Sequence, residues 1–370
     1  MLVRSSWRLG AGMILLLLAA ACSDDALGPA DLADPVALQA ELGAADSAFD
    51  SEAFTSFSAV TGHLGPTPAA PVVPWLSASV AALPRSTSAL YGPAALRAPV
   101  LQRLGASLAS SPARGPIIDN SLYGRVYRWD DVSDQYSWDG VETVSGLNGV
   151  RFILYRVDEL GNVIEPEVEV GFVDLVDAST TASVRLQITV RGTGGTPTYV
   201  TYTATATPSA SGVELTVTGS LTNGQPGAAN KTLTFDLGIE ASQSAVTVEV
   251  RFALNNPAIT VELRETVSIT ETGLVLTIDF RVIRAGEVVR LLGRIEVDGE
   301  VIEVSFEVRV NGGRVASLSG DLESAQWVDA GGDPLGLDDL DALDRLGEAF
   351  QAFDRATNSL LLPLLTMMAN

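Results

Sequence analysis

The stretch Arg290-Leu291-Leu292-Gly293-Arg294-Ile295-Glu296-Val297-Asp298-Gly299-Glu300-Val301-Ile302-Glu303-Val304-Ser305-Phe306-Glu307-Val308 decides the fold. Apolar and polar residues alternate on both sides of Asp298-Gly299, a strong signal for a two-residue hairpin turn. Folding at that turn sets Ile295 opposite Ile302, Leu291 opposite Phe306 and Val289 opposite Val308. The other face then pairs Arg294 with Glu303 and Arg290 with Glu307. A slip by one residue would turn every apolar side chain to the wrong face.

The same reading extends outward in both directions. A loop at Thr270 to Gly273 sets Val267 opposite Leu276, Leu263 opposite Phe280 and Val261 opposite Val282, with Arg264 facing Asp279 and Glu262 facing Arg281. A loop at Asn255 to Ala258 sets Phe252 opposite Val261 and Val250 opposite Leu263, and pairs Arg251 with Glu262 and Glu249 with Arg264. The loop from Arg284 to Glu287 joins the two halves at the cost of opposing Arg281 to Arg290. A three-residue turn at Asn311-Gly312-Gly313 sets Phe306 opposite Leu318 and keeps Arg309 away from Arg314. The segment Val246 to Leu318 is thus expected to be an antiparallel meander with one apolar face and one face of alternating charge.

Alternation continues over most of Leu122 to Asp329, enough for twelve to fourteen strands, and no helical pattern of useful length interrupts it. The fold class is therefore mainly β. The expectation is a large curved antiparallel meander sheet, an incomplete barrel in outline, with N- and C-terminal helices packed on its apolar face. The C-terminal cover begins at Asp333-Pro334, and Leu337, Leu340, Leu343, Leu346, Phe350 and Phe353 form its stripe. The N-terminal cover begins at Asp34-Pro35 and runs through Leu38, Leu42, Ala45 and Phe49 to Phe54 and Phe57. Five segments follow: 1–21, 22–60, an extended connection at 61–117 with nine of the 18 prolines, the β domain at 118–330, and a helix with an apolar tail at 331–370.

Composition excludes several functions. The chain has 45 acidic and 23 basic residues, 22 of them Arg, and a formal net charge of −22, which disfavours nucleic acid and anionic lipid surfaces. One cysteine and one histidine, Cys22 and His63, leave no disulfide, no cysteine-based zinc site and little basis for a histidine-centred triad. No metal and no cofactor is expected.

Two constellations could carry chemistry. Glu265 is the one charge on the apolar face, with Val248 and Ile278 as neighbours and Gly293 one strand further, where a glycine would leave room for a ligand. The alternatives for Glu265 are a bulge, pairing with Arg345 or Arg355 of the covering helix, or a partly wet edge. The segment Trp129-Asp130-Asp131-Val132-Ser133-Asp134-Gln135-Tyr136-Ser137-Trp138-Asp139 has acids among aromatics, as sugar and calcium sites do. It lacks the calcium-loop pattern, and a hairpin with paired aromatics explains it as well. Gly192-Thr193-Gly194-Gly195 opens no helix, which leaves a phosphate cradle there without support.

The N-terminus supplies a resemblance. Arg4 and Arg8 precede an apolar run from Leu9 to Ala21, followed by Ala19-Ala20-Ala21-Cys22-Ser23 across the expected cut. This resembles the signal peptide and lipobox of bacterial lipoproteins, with Ala19 in the place where Leu is commonest. The resemblance implies cleavage before Cys22 and acylation of Cys22. Ser23 rather than Asp after it implies, by similarity to enteric sorting rules, the outer membrane. Cleavage would remove Arg4 and Arg8, leaving 21 basic against 45 acidic residues.

These features lead to the expectation of a non-catalytic lipoprotein of the cell envelope. It would be held to the membrane through acyl groups on Cys22 and bind an apolar or lipid ligand on the sheet's inner face. In outline it is similar to half-barrel periplasmic carriers of lipids or lipoproteins, a likeness of architecture alone. The first alternative is a structural or interaction module with a filled core. The second is a carboxylate-dependent hydrolase such as a glycosidase, though no convincing acid pair stands out.

Overall fold

Alternating side chains place fifteen strands in one sheet, seen in a computed structural model that describes residues 40–41, 48–49, 51–60, 116–208, 212–242, 244–270, 273–298, 301–321, 324–336, 339–348 and 360. The strands are β1 (Val126–Asp130), β2 (Gln135–Ser137), β3 (Gly149–Tyr155), β4 (Glu169–Asp177), β5 (Val184–Gly192), β6 (Thr198–Pro208), β7 (Gly212–Thr222) and β8 (Thr232–Ser242). They continue with β9 (Ala245–Asn255), β10 (Ala258–Ile269), β11 (Gly273–Arg284), β12 (Glu287–Asp298), β13 (Val301–Val310), β14 (Gly313–Asp321) and β15 (Gln326–Asp329). Helix α1 spans Glu52–Val60, and residues 339–348 form helix α2. None of the described helices is long and apolar enough to cross a membrane.

From β3 to β15 each strand pairs antiparallel with the next in sequence. The order ends β4-β3-β1-β2, and the sheet is not closed. The one parallel pair is β1 with β3, through Val126–Arg151 and Tyr127–Phe152. The edges are strands of four and three residues, which present little free backbone to another chain.

The meander from β9 to β12 has the expected registers. Val261 faces Phe252 and Val282, Leu263 faces Val250 and Phe280, and Arg281 faces Arg290. Two hairpins differ. In β12–β13, Asp298 pairs with Val301, so the register is shifted by two residues: Ile295 meets Val304, Leu291 meets Val308 and Gly293 meets Phe306. A shift by two leaves every residue on its expected face, so the hydrophobic pattern cannot resist it. The expected pairs Arg294–Glu303 and Arg290–Glu307 are replaced by Arg294–Ser305 and Arg290–Arg309. Exposed ion pairs contribute only about 0–1 kcal/mol. Phe306 faces inward in either register, and the shift seats its ring in the gap that Gly293 leaves, which such weak ion pairs do not prevent.

In β13–β14 the turn is Asn311-Gly312 alone, with φ of 51° and 88°, the double left-handed geometry of a tight hairpin. A bulge leaves Val315 without an opposite residue, so Arg309 faces Arg314 near the turn while Phe306 faces Leu318 beyond it, as expected. The repulsion of Arg309 and Arg314 is relieved locally. Arg309 donates twice to Glu307, at 2.9 and 3.2 Å, and Arg314 donates to the Ala330 carbonyl at 2.9 Å.

Inward-facing residues of β3 to β15 form one apolar cluster that also contains Ala53, Phe54, Phe57 and Val60 of α1, Leu343 and Leu346 of α2, and Leu360. An aromatic series runs through it: Phe49, Phe54, Phe57, Tyr202, Phe235 and Phe252, with successive ring centroids 5.3 to 6.5 Å apart. Within α1, Ser51 Oγ accepts from Phe54 N at 3.1 Å and caps the helix, which fixes the direction in which Phe54 and Phe57 project.

Candidate functional site

Glu265 lies on the inner face of β10, opposite Val248 of β9 and Ile278 of β11, with Gly293 the next residue across. These neighbours are the expected ones. The room that Gly293 was expected to leave is occupied. A Cβ built on Gly293 would stand 2.5 Å from the Phe306 ring, which the two-residue shift brings over it. Glu265 itself is 2 % exposed and Phe306 1 %, so the carboxylate is enclosed and does not line an open cleft.

Cys22 and His63 lie outside the described residues, as do Leu38, Leu42 and Ala45 of the expected N-terminal helix, Leu337, Phe350 and Phe353 of the expected C-terminal stripe, and Arg355. The aromatic and acidic segment forms the β1–β2 hairpin. Trp129 and Tyr136 face each other, ring centroids 5.6 Å apart. Its acids hold turns together. Asp130 accepts from Val132 N and Ser133 Oγ, and Asp139 accepts from the backbone N–H groups of Val141 and Glu142. Those hydrogen bonds, chiefly from Ser133 to Asp130 and from the Glu142 N–H to Asp139, hold both carboxyls below the usual range. Among the described residues, no group of three or more His, Cys, Asp or Glu side chains is arranged to hold a metal ion.

On the outer face, β7 to β11 line an open groove of about 440 Å³. Gly238 stands in it with no atom within 4 Å of where a Cβ would be. Of its acids, Glu249, Glu262 and Asp279 are engaged by arginines. Glu249 lies 3.0 Å from Arg264, and Glu262 lies 3.6 and 3.3 Å from Arg251 and Arg281. Arg290 grips Asp279 through two hydrogen bonds of 2.8 and 2.7 Å and holds its carboxyl below the ordinary range. A general acid requires the opposite, a carboxyl raised toward neutrality. Asp279 is therefore not an acid of the required kind.

Three further clusters were not read from the sequence. Buried Arg284 joins Glu287 at 2.6 Å and Glu41 at 3.4 Å, tying a residue near the N-terminus to the β11–β12 turn. Arg151 grips Asp174 at 2.7 Å beneath the ring of Phe172. Arg128 contacts Glu142, Glu169 and the Tyr155 hydroxyl. The i,i+3 spacing of Arg284 and Glu287 around Ala285-Gly286 was a usable signal, but Glu41 is 243 residues away and gives none.

No protein-family model, no curated protein and no solved structure matches this chain.

Proposed function

We propose that this chain is a non-catalytic, lipid-anchored module of the bacterial cell envelope whose apolar interior is filled by its own helices. It acts through its exterior. The anchor reading rests on Arg4, Arg8, the apolar run to Ala21 and the lipobox-like Ala19-Ala20-Ala21-Cys22. The observation that carries the filled interior is Phe57. Its side chain is 1 % exposed, and its ring meets Tyr202 of β6 in the aromatic series that continues through Phe235 and Phe252. Tyr202 in turn donates its hydroxyl to the Leu360 carbonyl at 3.1 Å, and Leu343 and Leu346 of α2 belong to the same cluster. In this reading helical residues occupy the inner face where a carrier would seat its ligand. Phe306 likewise fills the groove over Gly293.

A Cys22→Ser variant tests both halves. Expressed in a bacterium that acylates lipoproteins, it should leave the membrane fraction and appear soluble. Organic extraction of the purified variant followed by mass spectrometry should yield no lipid near one equivalent per chain. Retention in the membrane would contradict the anchor. A stoichiometric extracted lipid would contradict the filled interior and restore the carrier.

A further inference from the structure

The corner of the sheet at β1 to β4 has a buried apolar cluster on its outer side. Val126, Ile153 and Tyr155 are buried there under Trp129, Tyr136, Val144, Val163 and Phe172, a second small core separate from the main one. Val163 of the β3–β4 excursion at 156–168 shares this core with Trp129 and Tyr136 of the β1–β2 hairpin. Arg128 of β1 lies 3.6 Å from Glu169 at the start of β4.

Around this small core the loops expose apolar side chains to solvent. Of the seven large hydrophobic residues exposed among those described, five, Val132, Val141, Leu160, Ile164 and Val168, fall in this one region, and Ile269 and Val301 lie at strand ends elsewhere. Val132 is 92 % and Leu160 86 % exposed, so neither stabilises the fold by burial. Ile164 N and Val168 O both bond to the backbone of Arg156, which holds the excursion in a defined shape with these side chains outward. Exposed apolar side chains grouped on one surface and rimmed by polar residues mark a place where another molecule binds.

The charge around them selects the partner. Residues 130–169 hold ten carboxylates and two arginines. Asp131, Asp134, Asp158, Glu165, Glu167 and Glu169 are exposed beside the apolar side chains. Arg156 pairs with Glu52 at 3.1 Å and Arg151 with Asp174, while Arg128 of β1 contacts Glu142 and Glu169, so eight of the ten carboxylates face none of these three arginines. An anionic membrane, a nucleic acid and a second copy of this acidic chain would all be repelled.

We propose that this corner docks a basic polypeptide segment carrying apolar anchors, which would place its cations on the carboxylates and its apolar side chains against Val132, Leu160, Ile164 and Val168. This deepens the reading of a module that acts through its exterior. It fails independently of that reading, because the test below senses neither Cys22 nor the interior.

The test uses the full chain as its Cys22→Ser form and two eight-residue peptides, one alternating Lys with Leu and one alternating Lys with Ser. Calorimetry at about 0.15 M salt, where the screening length is about 8 Å, suppresses attraction to distant charge. The Lys–Leu peptide should bind at least about tenfold more tightly than the Lys–Ser peptide, a difference of about 1.4 kcal/mol. Serine at 132, 160, 164 and 168 together should abolish that difference, with circular dichroism unchanged because the side chains are exposed. Gln for Glu165, Glu167 and Glu169 should weaken both peptides, whereas Gln for the distant Glu214 and Glu240 should weaken neither. An undiminished preference in the serine variant, or equal weakening by the two Gln sets, would overturn the proposal in favour of general attraction to an acidic protein.

Discussion

Gly293 shows how one residue reports on the whole register. Its missing side chain is matched by Phe306, whose ring passes 2.5 Å from where a Cβ would stand. Gly293→Ala should therefore overpack the core and destabilise by about 1–3 kcal/mol. Were Phe306 opposite Leu291 instead, the same change should be neutral or slightly stabilising, since glycine weakens a strand interior. Chemical denaturation of the variant separates the two registers, and adding Phe306→Leu should recover much of the loss. Glu265 was legible in the sequence as the odd charge on an apolar face, and its strand neighbours followed from pairing. The state of Gly293 was not legible, because it depended on a register that the alternation alone could not choose.

The hairpins show which signals set register. Where turn length, apolar pairs and charge pairs agreed, as from β9 to β11, the pairing followed from the sequence, and turn length with apolar pairs carried it on to β12 despite Arg281 opposing Arg290. The β12–β13 and β13–β14 hairpins exposed the limits. A shift by two residues preserves both faces, and cross-strand ion pairs are too weak to forbid it. The deciding terms were local: the positive φ of Asn311 and Gly312, and the packing of Phe306 over Gly293. Ion pairs then formed wherever the resulting geometry allowed, along a strand for Arg294–Glu296 and diagonally for Arg290–Asp279. The latter carries a pH dependence. Arg290 depresses the Asp279 carboxyl in the folded chain, so the pair's stabilisation is complete above the unfolded carboxyl's range near pH 4 and disappears as pH falls through the lower folded value. Both side chains are about a third exposed, which limits the effect to about 0.5–1 kcal/mol. Asp279→Asn should lower stability by that amount at pH 7 and by nothing near pH 2, measured as urea midpoints at the two pH values. An equal loss at both would show that the pair acts through packing rather than charge.

At the scale of the whole molecule, the antiparallel meander was legible because each hairpin is a local event. The parallel pairing of β1 with β3 was not, since it joins segments separated by the β2 excursion and no periodicity announces it. Nor did the sequence say whether the inner face was open or filled. Its amphipathic stripes supplied candidate covers but no depth of insertion. The contacts of Phe57 with Tyr202, and of the Tyr202 hydroxyl with the Leu360 carbonyl, are long-range facts of this kind. They place helical residues of this chain against the inner face of the sheet. The most direct measurement is the unfolding free energy of Phe57→Ala. A ring this deeply packed should leave a cavity on removal and cost about 3–5 kcal/mol. A loss under about 1 kcal/mol would mean that Phe57 does not fill the sheet's interior, and would contradict the account.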